Sequence, residues 1–210
     1  MSARLSTELQ EQVRRAISVL KGGGIVAFPT DTVYGLGAGA NLPQAVARVY
    51  QVKDRPRSMA LPLLLAYPAQ IGEVARVVPP VARLLVRHFL PGALTIVLLR
   101  SGSVPDVITG GGETVAVRVP AHPVPVALAR GLGMPVVGTS ANLSGQPSAL
   151  TADEVYAQFG DRINLVIDGG RCPGGRKSTI VDVTGEVPVV LREGAISREE
   201  LERVCGDIFR

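Results

Sequence analysis

Residues 22–39, GGGIVAFPTDTVYGLGAG, decide how the chain is read. Gly22, Gly23 and Gly24 end whatever precedes them. Residues 25–28 form a short apolar run of strand type. Pro29 then stops the ladder, because proline has no N–H to donate. Thr30, Asp31 and Thr32 follow at once, three small polar side chains at the end of a buried strand. Gly35, Gly37 and Gly39 are expected to give the backbone conformations that a Cβ would forbid. In open α/β sheets, ligands sit beyond the carboxyl ends of strands, and a polar, glycine-rich turn is the usual material there. The bland alternative is an ordinary strand-to-helix turn.

Working outward, the 210 residues suggest one domain, with 46% hydrophobic and 19% charged residues to build a sizeable core. No apolar run approaches the ~20 residues of a membrane helix, and the N-terminus MSARLSTELQ carries no secretory signal, so a cytoplasmic protein is expected. Cys172 and Cys205 lie far apart, and the histidines are His88 and His122. That inventory argues against a protein-only metal site and for reduced thiols. A net charge of +4 and a pI of about 9.4 favour an anionic ligand or partner, nucleotide or nucleic acid. Aromatic residues are only 4%, with no basic–aromatic interleaving for stacking single strands.

Periodicity predicts helices over 7–21, 43–52, 123–130 and 151–159, a last one opened at Ser197, and a mostly helical 68–89 interrupted at Pro79-Pro80. Capping boxes are read at Thr7/Gln10, Thr151/Glu154 and Ser197/Glu200. Strands are expected at 61–65, 94–99, 114–119, 136–137, 164–167, 179–183 and 189–191, with a glycine-rich loop over 101–113 and a long turn over 168–177. The irregular strand spacing fits a mixed, twisted sheet with helices on its faces.

Four polar clusters stand at strand ends: residues 30–32, 53–58, 138–148 and 176–178. Arg118 adds a charge inside an apolar strand, on a face otherwise carrying only Thr114 and Ala116. A charge there needs an anion. A carboxylate of the protein or a carboxylate or phosphate of a ligand would each serve. Gly138-Thr139-Ser140-Ala141-Asn142 nearly matches the hydrolase elbow, but no histidine follows His122, as that triad order requires. Residues 170–178, GRCPGGRKS, nearly match a P-loop, but the β-branched residues after Ser178 form a strand rather than the helix that motif needs. What remains is a pocket of hydroxyls, arginines and backbone amides, suited to positioning and charge stabilisation in phosphoryl or nucleotidyl transfer.

FPTDTVYGLG, K-D-R-P-R, TVAVRVP, TSANLSGQPS, K-S-T-I-V-D and V-L-R-E-G occur in that order, over about residues 7–196. The chain thereby resembles the YrdC/TsaC-type threonylcarbamoyl-AMP synthases. The resemblance implies a single YrdC-like domain over 1–210: an α/β fold with a mixed twisted sheet and flanking helices around a large basic cavity. It implies conversion of L-threonine, bicarbonate and ATP to threonylcarbamoyladenylate and pyrophosphate, with magnesium carried by ATP. The product would feed a tRNA modification completed by partner proteins. By motif, Thr30, Pro62, Arg118, Gly138 and Ser178 would line the threonine site. Lys53, Arg57, Thr114, Ser140, Ser148 and Arg192 would contact ATP. Lys53, Arg55, Ser140 and Asn142, the K-x-R and S-x-N pairs, would carry the catalysis. Some members have a further C-terminal domain, which is not expected in a chain of this length. There are departures: Asp31 stands where glutamate is frequent, Leu64 where some members have histidine, and Ala60 where proline is frequent. Arg176-Lys177 replaces a common Val-Glu, and Glu193 replaces a proline. Competing expectations are a family paralogue with another substrate and a double-stranded RNA-binding module. Direct RNA contact is compatible with the enzyme as well.

Overall fold

The computed structural model describes residues 5–173 and 176–210. Along them run α1 (Thr7–Lys21), β1 (Val26–Phe28), β2 (Gly35–Gly39), α2 (Pro43–Val52), β3 (Leu63–Leu64), a 3-10 turn (Pro68–Gln70), α3 (Ile71–Val74) and α4 (Pro80–Phe89). Then come β4 (Leu94–Leu99), α5 (Asp106–Thr109), β5 (Thr114–Arg118), α6 (Pro123–Leu132), β6 (Val136–Ser140), α7 (Ala152–Phe159), β7 (Leu165–Val166), β8 (Thr179–Asp182), β9 (Val189–Arg192) and α8 (Arg198–Cys205). The strands form one sheet in the order β7-β1-β2-β6-β3-β5-β4-β8-β9. The β1/β7, β3/β5 and β4/β8 pairs are parallel and the others antiparallel, so the sheet is mixed, as its irregular spacing predicts. No helix of the described residues is long and apolar enough to cross a membrane.

The glycine run is where the structure departs most from expectation. Residues 35–39 are not a turn but a strand inside the sheet, paired with β1 on one side and β6 on the other. Gly35, Gly37 and Gly39 do not have positive φ. They are there for close approach: a Cβ on Gly37 would stand 2.3 Å from the Val137 carbonyl oxygen, and one on Gly35 would stand 2.8 Å from the Phe28 ring.

Strand alternation then separates the two faces. Leu36, Ala38, Leu63, Ile96, Val115, Val117, Val137 and Val181 bury one face in a cluster with residues of α2, α4, α7 and α8. The opposite face carries Val26, Phe28, Leu64 and Val136, packed with Val13, Ala16 and Leu20 of α1 and Val124, Leu128 and Leu132 of α6. The helices on this second face belong to a cluster whose strand residues come from β1, β3 and β6. The rest of that face, from Gly35 of β2, Gly138 and Ser140 of β6 and Leu64 of β3 across β5, β4, β8 and β9, is where the cavity opens.

Several boundaries shift for local reasons. Ser6, not Thr7, caps α1: its hydroxyl accepts from Leu9 N, while Gln10 donates to Leu5 O. Thr151 accepts from Glu154 N, but the Glu154 carboxylate turns to Leu150 N, so that box is half formed. The Ser197/Glu200 box is complete. The strand expected over 61–65 shrinks to β3, because Leu61 N donates to Ile108 O rather than into the ladder. The loop over 101–113 holds the short α5, ended by Gly110 in the left-handed region at φ 64°. A Cβ there would also press on the Arg57 and Ser58 carbonyls at 2.8 Å. Ala75 leaves the helical stretch to bridge Arg100. At the β9 edge, Arg210 N donates to Pro188 O and Val190 N donates to Arg210 O, both at 2.9 Å.

Gly37→Ala should therefore be destabilising by about 1–3 kcal/mol, the cost of overpacking a filled site. Gly72→Ala, where a Cβ would meet nothing within 4 Å, should be neutral or stabilising by up to ~1 kcal/mol. Denaturant midpoints of the two variants check the contrast, and equal midpoints would contradict it.

Candidate functional site

A cavity of about 310 Å³ lies on the open part of the second sheet face. Its floor is built from residues of like register: Gly35 on β2, Gly138 and Ser140 on β6, Leu64 on β3, Ala116 and Arg118 on β5, Thr95 and Val97 on β4. Glycine, alanine and threonine at these positions leave depth that larger side chains would fill. The Leu64 side chain leans over Gly138, where a Cβ would meet it at 2.5 Å.

The wall is cationic. Arg55, Arg118, Lys177 and Arg192 line the cavity, and no acidic side chain does among the described residues. Burial lowers the Lys177 ammonium, and Arg192 and Arg55 lower it further. Burial likewise lowers Arg192, helped by Arg118 and Arg55. Cations held this close are an unfavourable arrangement that an anion would relieve.

Arg118 is 7% exposed. Its partner inside the protein is Asp31, whose Oδ1 lies 2.7 Å from a terminal guanidinium nitrogen. The Nε donates to Gly92 O at 2.9 Å and the other terminal nitrogen to Thr32 Oγ1 at 3.2 Å. Of the sequence's two options for the anion, the internal carboxylate is therefore realised. The ligand option stays open as well: these bonds use three of the guanidinium's five N–H groups, which leaves two for a bound anion. Thr30 is committed to its turn, its hydroxyl donating to Val33 O at 2.6 Å and accepting from Thr32 N at 3.1 Å. Cys172 Sγ accepts from Thr30 N at 3.4 Å. The Tyr34 hydroxyl, pushed up to about 12 by burial, donates to Gly170 O and accepts from Gly169 N. Beside Arg118 in the register of β4 and β5, Thr95 Oγ1 meets Ser178 Oγ at 2.9 Å, and Arg192 donates to the Ser178 carbonyl at 2.8 and 3.1 Å.

All five residues expected at a threonine site, Thr30, Pro62, Arg118, Gly138 and Ser178, line this one cavity, as do Arg55, Ser140 and Arg192. Lys53, Arg57, Thr114, Asn142 and Ser148 do not. Lys53 is 2% exposed, with its Nζ 2.6 Å from Ser140 O and 2.5 Å from Asn142 O. Asn142 Nδ2 donates to Leu143 O and Gln146 O. Together they shape the segment after β6 rather than face the cavity. Burial, with Arg55 and Lys177 adding to it, pushes the Lys53 ammonium down to about 7. Arg55 donates to the Met59 and Ala60 carbonyls and closes its own loop.

Sequence reasoning assigned no site role to Asp31, Thr95 or Lys177. Asp31 and Lys177 lay within polar clusters it had marked. Thr95 carries no local signal, since only the β4/β8 pairing brings it to Ser178. The rejected P-loop reading spans residues 174 and 175, which lie outside the described residues, and residues 179–182 after it are the strand β8. Neither histidine lines the cavity: the His122 ring accepts from Val124 N at the start of α6. Among the described residues no group of acidic, histidine or cysteine side chains gathers to hold a metal ion. The arrangement can bind anions and stabilise charge that develops on them.

The family model Sua5/YciO/YrdC, described as telomere recombination, matches residues 18–194. The threonylcarbamoyl-AMP synthase of Pyrococcus abyssi is 43% identical over 197 residues, covering 94% of this chain and 58% of that protein. The Bacillus subtilis protein of the same name is 40% identical, covering 94% and 57%. The chain thus spans less than two thirds of the length of these relatives. A solved structure of P. abyssi Sua5 complexed with L-threonine superposes with a TM-score of 0.93 at 41% identity, over 100% of this chain and 61% of that one. E. coli YciO superposes with a TM-score of 0.80 at 28% identity, over 89% and 90%.

Arg118→Ala breaks a pair whose side chains are only 8% and 14% exposed, and should cost about 3–5 kcal/mol, lowering the melting temperature by roughly 2–4 °C per kcal/mol. A near-native melt would show that Asp31 does not depend on this partner. For Lys53, the folded value of about 7 lies below the ordinary 10.5. Between those values the unfolded chain binds the extra proton, so this residue's contribution to stability rises as pH increases from 7 towards 10.5. Lys53→Met should remove that rise. Denaturant titrations of both proteins at pH 7 and 9 test it, and parallel changes in the two would refute the assignment.

Proposed function

The chain belongs to the Sua5/YciO/YrdC family, and from that premise we propose that it makes threonylcarbamoyl-AMP from L-threonine, bicarbonate and ATP. The observation that carries this reading is the set of four cations lining a glycine- and alanine-floored cavity, with Arg118 already fixed in place. The two N–H groups of Arg118 left free would take the threonine carboxylate, and Ser178 and Thr30 would border the amino acid. The amine would add to bicarbonate with loss of water. The resulting carbamate oxygen would then displace pyrophosphate from the α-phosphorus of ATP, which makes the protein a nucleotidyltransferase. Arg55, Lys177 and Arg192 would neutralise the polyphosphate and the charge that builds on the leaving group. Magnesium would enter with the triphosphate. Lys53 and Asn142 would act on ATP by holding the 140–148 segment and Ser140 and Ser148 on it. Arg57 and Thr114 are assigned to the nucleotide by resemblance. The product would be passed to the partner proteins that complete a tRNA modification.

The test is pyrophosphate release from ATP that requires both threonine and bicarbonate. Release indifferent to threonine would overturn the reading. Serine should be a poor but measurable substrate, about 10–200-fold worse in kcat/KM, since one methyl in a small pocket contributes ~1–3 kcal/mol. Equal rates for serine and threonine would exclude a pocket shaped by Leu64 and Ala116 around that methyl.

A further inference from the structure

Among the described residues Asp31 is the one carboxylate that reaches into the cationic wall. It lies between β1 and β2, remote in sequence from β5, yet its Oδ1 is 2.7 Å from Arg118. Three fixed acceptors hold the guanidinium from three sides: the Asp31 carboxylate, the Gly92 carbonyl and the Thr32 hydroxyl. The Gly92 and Thr32 bonds engage Nε and one terminal nitrogen. Without a carboxylate at residue 31 the second terminal nitrogen loses its charge-assisted bond, about twice as strong as a neutral one, and the fork is held less firmly. Asp31 also sets the charge around Arg118. Arg118 with Asp31 is a pair of no net charge that still presents N–H donors, whereas Arg55, Lys177 and Arg192 line the cavity without an acidic partner among the described residues. A neutral donor pair suits the carboxylate of a zwitterion. The unpaired cations suit a polyphosphate.

We infer that Asp31 is a positioning and selectivity residue: it orients the Arg118 fork and keeps polyphosphate out of the amino-acid end. This deepens the threonylcarbamoyl-AMP synthase reading and rests on it for the identity of the amino acid. The test uses the full chain with Asp31→Asn and Asp31→Glu. Steady-state pyrophosphate release gives KM for threonine and for ATP, and calorimetry gives the affinity for inorganic pyrophosphate. In Asp31→Asn, KM for threonine should rise about ten- to hundredfold, the cost of a misplaced binding group, while KM for ATP holds and pyrophosphate binds more tightly. Asp31→Glu keeps the charge on a longer arm, so pyrophosphate affinity should return to the native value and KM for threonine should fall between the other two. An unchanged threonine KM in Asp31→Asn overturns the proposal. So do KM values for threonine and ATP that rise together with pyrophosphate affinity unaltered, the pattern of a packing defect. Should the native protein release no pyrophosphate in response to threonine, the enzymatic reading falls by itself. The calorimetric comparison then still decides the charge role: tighter pyrophosphate binding in Asp31→Asn upholds it, and equal binding overturns it.

Discussion

The space available at Gly37 constrains the rest of the molecule. A methyl group there would sit 2.3 Å from the Val137 carbonyl oxygen, so β2 can lie between β1 and β6 only as a strand stripped of side chains on one face. That bare face does two things. It lets the Phe28 ring lie against Gly35 and Gly37, within the cluster that receives α1 and α6. With Gly138 and Ala116 continuing the small residues across β6 and β5, it also leaves a hollow where a second helical layer would otherwise pack. The α1/α6 core and the cavity thus share one face of the sheet, and the alternation that puts the glycines there sends Leu36 and Ala38 into the core on the other face.

Charge is arranged around that hollow with unequal care. Arg118 is bonded to three acceptors that include a carboxylate, whereas Lys177 and Arg192 are lowered by burial and by neighbouring guanidinium groups. The first is a positioned fork and the others are a field. Lys53 belongs to neither. It spends its ammonium on two backbone carbonyls and so couples the end of α2 to the turn after β6. Preorganised dipoles and cations of this kind need no rearrangement when charge develops between them.

The sequence made much of this legible, for physical reasons that differ by residue. Amphipathic stripes and proline or glycine punctuation placed α1, α2, α6 and α7 within a residue or two, because those signals are local. Arg118 in an apolar strand announced a buried charge, but its partner Asp31 lies on another element and only the folded chain brings them together. The glycines of β2 were misread in kind: glycine permits both unusual dihedrals and close approach, and sequence alone does not separate the two. Thr95 was invisible because a threonine in an apolar strand looks like sheet material until β8 lies beside it. Lys53 sat in a segment rich in charge, where nothing distinguishes a lysine that faces ligand from one that ties down its own backbone.

The pairing of Arg210 with β9 bears on solubility. An edge strand offers unpaired N–H and C=O groups to any passing chain. On β9 the neighbouring side chains would reward such an encounter, since Val187, Val189, Leu191 and Ile208 are all exposed, Leu191 at 56%. Arg210 occupies the Val190 N–H and the Pro188 carbonyl and adds a cation to the border. An incoming strand therefore finds part of its template taken and a charge beside it, so the hairpin that brings Arg192 to the cavity has part of its outer edge closed to strand addition.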